Sequence, residues 1–135
     1  MIRTAPLLAA STLLVGAAAP APVIGRWITV DAKAEVVIAP CGKSICGRIA
    51  KVLNPAPGQA TTDVHNPDPA KRGRPIAGMT ILSGFTAAET WWKGEIYDPK
   101  TGKTYTSYLS IDGARLKVQG CIGPLCQTQY WTRAR

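Results

Sequence analysis

Trp92-Lys-Gly-Glu-Ile-Tyr-Asp98-Pro-Lys-Thr-Gly102-Lys-Thr-Tyr105-Thr-Ser-Tyr-Leu109-Ser-Ile-Asp112-Gly-Ala-Arg-Leu116-Lys-Val118 reads as three strands joined by two tight turns. Pro99 fixes φ and Gly102 supplies a positive φ in the first turn, and Asp112-Gly113 favours a two-residue type I′ turn in the second. Alternation places Tyr105, Ser107, Leu109 and Ile111 on one face, and sets Leu116 and Val118 opposite Lys117 and Gln119. An antiparallel meander with a largely apolar inner face follows.

Working outward, the rest of the chain repeats this pattern of short runs rich in β-branched and aromatic residues, punctuated by Gly, Pro, Asn and Asp, with no long stretch of helical period. Strands are expected at 24–32, 34–40, 46–54, 77–84, 90–98, 103–111, 114–120 and 126–133. Eight sequential antiparallel strands make an up-and-down barrel. Residues 55–76 stand apart, with five prolines and no periodicity. So long an irregular connection in a compact domain is either functional or a packed lid.

The N-terminus carries Arg3, an apolar run over Leu7 to Val15 and then Gly16-Ala17-Ala18-Ala19. That order is the one of a secretory leader, placed at 1–18 and followed by a single domain over 19–135. The run is broken by Pro6 and is shorter than the roughly 20 residues a bilayer span requires, so no transmembrane segment is expected in the mature chain. A periplasmic or secreted protein is the expectation. The net charge of the whole chain is +8. Lys33, Lys43, Lys51, Lys93, Lys103, Arg115 and Lys117 are scattered singly, which argues against a nucleic-acid partner, and only Lys71, Arg72 and Arg74 cluster.

Gly25-Arg26-Trp27 stands near the start of the domain and Trp131-Thr132-Arg133 near its end. First and last strands are neighbours in a closed barrel. Arg133 is therefore expected over the Trp27 ring, a cation–π contact worth about 1–2 kcal/mol, with Gly25 letting the backbone pass close by.

A series of motifs spans the whole domain: G-x-W (25–27), C-G-x-x-x-C-G-x-I (41–49), D-x-x-N-P-D (63–68), R-P-I-x-G (74–78), W-x-G-x-I-Y-D-P-x-T-G-K-x-Y (92–105), L-x-V-x-G-C (116–121) and W-x-R (131–133). The series resembles the bacterial exported DUF2147 family. The resemblance implies a lipocalin-like barrel and no particular reaction.

Cys41, Cys46, Cys121 and Cys126 are the only cysteines. Four cysteines in an exported chain allow three pairings. Loop-closure entropy favours long links, whereas a Gly-containing four-residue turn brings its flanking Cβ atoms within bonding reach and favours Cys41–Cys46 and Cys121–Cys126. A redox or zinc role fits less well, because both prefer two intervening residues and no histidine stands nearby.

The single histidine, His65, lies between Asp63 and Asp68. Asp63, Asn66 and Asp68 are read as loop-structuring residues, since Asn66 and Asp68 stand beside prolines where Asx side chains make capped turns, and no metal or other cofactor is expected. No nucleophile stands beside His65, and no catalytic residue is assigned. Of Trp91 and Trp92, one must face inward. If the interior keeps space, Trp92, Tyr105, Leu109, Leu116 and Val118 would line a site for a small apolar or amphipathic, fatty-acid-like ligand, with Arg72 and Arg74 receiving an anionic head group. The alternative is a filled barrel that serves as a non-catalytic interaction or maintenance protein of the envelope, with a protein partner of unknown kind.

Overall fold

The computed structural model describes residues 2–11 and 22–135. Eight strands form a closed antiparallel barrel in sequential order. They are β1 (Gly25–Ile28), β2 (Ala34–Cys41), β3 (Ser44–Val52), β4 (Thr80–Ala87), β5 (Trp92–Asp98), β6 (Lys103–Asp112), β7 (Arg115–Ile122) and β8 (Leu125–Arg133). The sheet and its order agree with the meander read from residues 92–118. Residues 2–11 carry no helix or strand, and Leu7 there is 99% exposed. The expected leader cleavage after Ala17 or Ala18 lies outside the described residues. Among the described residues no helix is long and apolar enough to cross a membrane.

Up-and-down connectivity sorts the links between two ends. The links after β2, β4 and β6 lie at one end, with the chain termini; those after β1, β3, β5 and β7 lie at the other, called here the rim. The core fills the terminal half and extends into the rim half along β3 and β4, where Ile49 and Ile81 are buried. Trp27, Val36, Ile38, Leu82, Phe85, Leu109, Leu116, Val118 and Trp131 are all buried. Side chains of neighbouring strands lean over glycine where it leaves room: an added Cβ at Gly94 on β5 would stand 2.6 Å from the Phe85 ring of β4, and one at Gly47 on β3 would stand 2.7 Å from Leu82 of β4. Such close approach is why these strand positions carry no side chain.

The first strand is shorter than its sequence suggests. Ile28-Thr29-Val30 reads as strand by β-branching, yet the chain leaves β1 after Ile28 and makes a 3₁₀ turn at Val30–Ala32. Asp31 and Ala32 take φ values of 57° and 51°, and the Thr29 hydroxyl accepts from the Ala34 amide at 3.0 Å. As a result β1 meets β8 only through Trp27 opposite Arg133 and Ile28 opposite Thr132. β4 is displaced from 77–84 to Thr80–Ala87, because Gly78 turns with φ 90° and Gly84, with φ 65°, is absorbed in a bulge of the β4–β5 pairing.

Both cysteine pairs are local disulfides, Cys41–Cys46 and Cys121–Cys126, and no described cysteine is free. The two bridges lie at opposite ends of the barrel: Cys41–Cys46, after β2, lies where Trp27 and Arg133 meet. Cys121–Cys126, after the odd-numbered β7, staples the rim.

Candidate functional site

The terminal end is sealed by the two ends of the chain. The Arg133 guanidinium lies 4.2 Å from the Trp27 ring centre. Its Nη1 donates to the Ile24 carbonyl at 3.1 Å and its Nη2 to the Pro22 carbonyl. Trp27 Nε1 donates to the Val23 carbonyl at 2.9 Å, so the fully buried indole leaves no polar atom unsatisfied. Gly25 takes φ 136°, and a Cβ there would stand 2.6 Å from Arg133 Nη1. Gly25, Trp27 and Arg133 thus form one closure, as their positions in the sequence suggest.

At the rim the proline-rich connection is pinned at Asp63. This carboxylate is 1% exposed and accepts from the Tyr97 hydroxyl at 2.7 Å and from Asn66 Nδ2 at 2.7 Å. Burial, then the hydrogen bond to Asp63 and its negative charge, pushes the Tyr97 phenol from 10.0 up to about 12. Asn66 Oδ1 accepts from the Asp68 amide at 2.9 Å, and Asp68 caps the short 3₁₀ turn Pro69–Lys71 through the Ala70 amide at 3.0 Å. The loop-structuring role of Asp63, Asn66 and Asp68 is therefore visible atom by atom. His65 contributes its backbone: a Cβ at Gly102, φ 71°, would overlap the His65 carbonyl, so loop and β5–β6 turn touch there without intervening side chain. Among the described residues there is no group of His, Cys, Asp and Glu that could hold a metal ion.

The expected ligand-lining residues separate into two groups. Leu109 and Leu116 have no exposed surface and Val118 keeps 2%. A side chain lining a cavity wide enough for a ligand would keep accessible surface, so these three belong to a packed core and would meet a ligand only if it opened. Trp92 and Tyr105 are half-buried. Arg72 and Arg74 are exposed on the rim loop; Arg72 Nε donates to the Asn66 carbonyl at 2.8 Å, and neither forms an ion pair with a described residue.

Above the packed layer the inner face changes character. The registers place Gly94 beside Ser107, Ser107 beside Gly120 and Gly120 beside Gln127, all on the inner side. One step nearer the rim stand Ile96, Tyr105, Ile122 and Leu125. Gln127 is exposed, Ile122 is 62% exposed and Leu125 is 77% exposed, although alternation turns all three inward. The reason lies in the short β1, which leaves β8 unpaired along Leu125–Tyr130 on its free side. Ser107 Oγ, wholly buried beneath this wall, has no hydrogen-bond partner. A buried orphan hydroxyl costs about 1–3 kcal/mol, and with no surface of its own it would meet a polar atom from outside only if the packed layer opened.

A family model described as an uncharacterized protein conserved in bacteria, DUF2147, matches residues 25–133. The chain belongs to the DUF2147 family. Among solved structures, the Helicobacter pylori protein HP1028, described as belonging to the lipocalin family, superposes with a TM-score of 0.72 at 21% identity, covering 83% of this chain and 82% of its own. The DUF2147 barrel is thus lipocalin-like in fold. No curated protein matches the sequence.

The inner face legible in the sequence includes Ser107 but stops at Val118, leaving out Gly120, Ile122, Leu125 and Gln127. The signal was available: continuing the same alternation past Gly120 gives Ile122 and, across the turn, Leu125. The polar Gln127 and the two glycines obscured it. Tyr97 was missed for another reason, since its partner Asp63 is 34 residues away.

Proposed function

We propose that this chain is a non-catalytic, exported binding protein that takes a small amphipathic, fatty-acid-like molecule at its rim rather than deep in its barrel. The observation that carries the reading is the inward-facing yet exposed wall of Ile122, Leu125 and Gln127, beside half-buried Tyr105. An apolar tail would lie along Ile122, Leu125 and Tyr105, and its anionic head would turn to the rim cations, Arg72 and Arg74 among them. Two disulfides favour an oxidising compartment, as a periplasmic or secreted location requires.

The test is extraction of the natively purified protein followed by mass spectrometry of the extract, with titration of Trp fluorescence by monomeric fatty acids. A carried amphiphile and a saturable response are expected. A second reading, a solid barrel acting through a protein partner, draws on the complete burial of Trp27, Leu82, Phe85, Leu109 and Leu116. An empty extract together with a flat titration would leave that second reading standing and the first refuted.

A further inference from the structure

The rim combines two features seldom left together on a water-soluble surface. Its β7–β8 turn, Ile122-Gly123-Pro124-Leu125, shows two large aliphatic side chains 62% and 77% exposed, locked in place by the Cys121–Cys126 bridge immediately behind them. Cys121 stands opposite Thr106, so by register the tip lies level with Lys103 and Thr104. The remaining rim links bring Lys33 from the β1–β2 link, Lys71, Arg72 and Arg74 from the long loop, and Lys100 and Lys103 from the β5–β6 turn.

The carboxylates of the same end are largely occupied. Asp63 is taken by Tyr97 and Asn66, Asp68 by the Ala70 amide and Asp98 by the Lys100 amide at 2.9 Å. Asp31 is the remaining acid at the rim. None of the six rim cations forms an ion pair with a described residue; the two ion pairs among the described residues are Arg26–Glu35 and Arg115–Asp112. At the terminal end Arg115 pairs with Asp112 and also lies 4.0 Å from the Tyr130 ring centre, and Arg133 is engaged with Trp27 and two carbonyls; Lys43 is exposed there without an ion pair, but the β2–β3, β4–β5 and β6–β7 links show no exposed pair of large aliphatic side chains.

We infer that the rim is a docking face for an anionic lipid surface, with Ile122 and Leu125 entering the interfacial region and Lys33, Lys71, Arg72, Arg74, Lys100 and Lys103 facing the head groups. Chemistry selects this partner. An aliphatic tip ringed by unpaired cations matches a bilayer interface, where apolar burial and attraction to anionic lipid add. A soluble polyanion would engage the cations and leave Ile122 and Leu125 in water. Such docking uses Ile122 and Leu125, the side chains that the proposed function gives to a ligand's tail, and it would place the inner wall at the membrane face.

Residues 2–11 are exposed and every core side chain lies between Val23 and Trp131, so a chain of residues 19–135 retains the barrel and removes the apolar leader from the experiment. Its partition would be measured by co-sedimentation with vesicles of pure phosphatidylcholine and with vesicles containing about one third phosphatidylglycerol. Binding to the anionic vesicles is expected, weakening as salt rises. Joint Ile122→Ser and Leu125→Ser replacement should weaken it about tenfold or more. Joint Lys33→Gln, Lys100→Gln and Lys103→Gln replacement should do likewise. Leu125→Trp should add a blue-shifted emission on anionic vesicles that the parent chain lacks. All these positions are exposed, and unchanged far-ultraviolet circular dichroism would verify the fold. Failure to sediment with anionic vesicles, equal binding to neutral ones, or indifference to either set of replacements would overturn the inference. So would heparin binding of equal strength that ignores Ile122 and Leu125. Fatty-acid titration without vesicles reads the proposed ligand site separately.

Discussion

Arg133, on the last strand, lies 4.2 Å from the ring centre of Trp27 on the first, and its guanidinium reaches the carbonyls of Pro22 and Ile24. One planar group therefore does three things that a lysine ammonium cannot do at once. Replacement Arg133→Ala should lower unfolding free energy by about 1–3 kcal/mol in urea denaturation, and Arg133→Lys should recover little of it. Gly25→Ala should be comparably harmful, since its Cβ would stand 2.6 Å from Arg133 Nη1 at φ 136°. In the double variant the two losses should add to less than their sum, because both act on one contact.

The Tyr97–Asp63 hydrogen bond gives the long rim loop a pH limit on the alkaline side. Ionisation of Tyr97 disfavours the folded arrangement, since its folded value lies near 12 against an ordinary 10.0. The stabilisation it carries is whole below pH 10 and is lost as pH climbs through 12. Phenolate absorbance should show a step near pH 12 for Tyr97, and Tyr97→Phe should delete it.

Asp63→Asn keeps the size of the side chain but removes the charge that Tyr97 and Asn66 donate to. Charge-assisted hydrogen bonds are the stronger kind, so loop 55–76 should loosen while the barrel persists. Limited proteolysis should cut within this loop faster in the variant, and near-ultraviolet circular dichroism of the buried tryptophans should stay as in the parent.

Ser107→Ala tests whether the orphan hydroxyl is a cost to the fold. With no partner for Oγ, removing it should be neutral or stabilising by about 1 kcal/mol in urea denaturation. A clear loss of stability would show that the hydroxyl does have a partner.

Each disulfide closes a ring with a sequence separation of 5, and each should contribute about 2 kcal/mol on the loop-closure account. Paired Cys→Ser replacement of Cys121 and Cys126 should weaken vesicle binding as well as stability, because it releases the rim turn. Replacement of Cys41 and Cys46 should affect stability alone, since that bridge lies at the other end.

Local chemistry made most of the fold legible in the sequence. Asp112-Gly113 and Asp98 to Gly102 specify their turns, and two-residue alternation specifies which side chains face inward along β6 and β7. The closure by Gly25, Trp27 and Arg133 followed from topology, because a sequential barrel must bring its ends together. Harder to read was whatever depended on exceptions to alternation or on distant partners. The β-branched Ile28-Thr29-Val30 masked the early end of β1, and with it the exposure of the inner wall at Leu125 and Gln127. Leu109 and Leu116 have the composition of a cavity lining and of a packed core alike; only the reach of Phe85 over Gly94 and of Leu82 over Gly47 shows which half of the barrel is filled.

The narrow seam between β1 and β8 also sets an order of events. Trp27 and Ile28 find their β8 partners only in Arg133 and Thr132, across 109 residues between Ile24 and Arg133. The sheet can assemble hairpin by hairpin from the N-terminal side, but the cylinder cannot shut until the final two strand residues are in place. The chain thus stays an open ribbon, with Trp27 unshielded, for as long as any part of its last strand is still in transit.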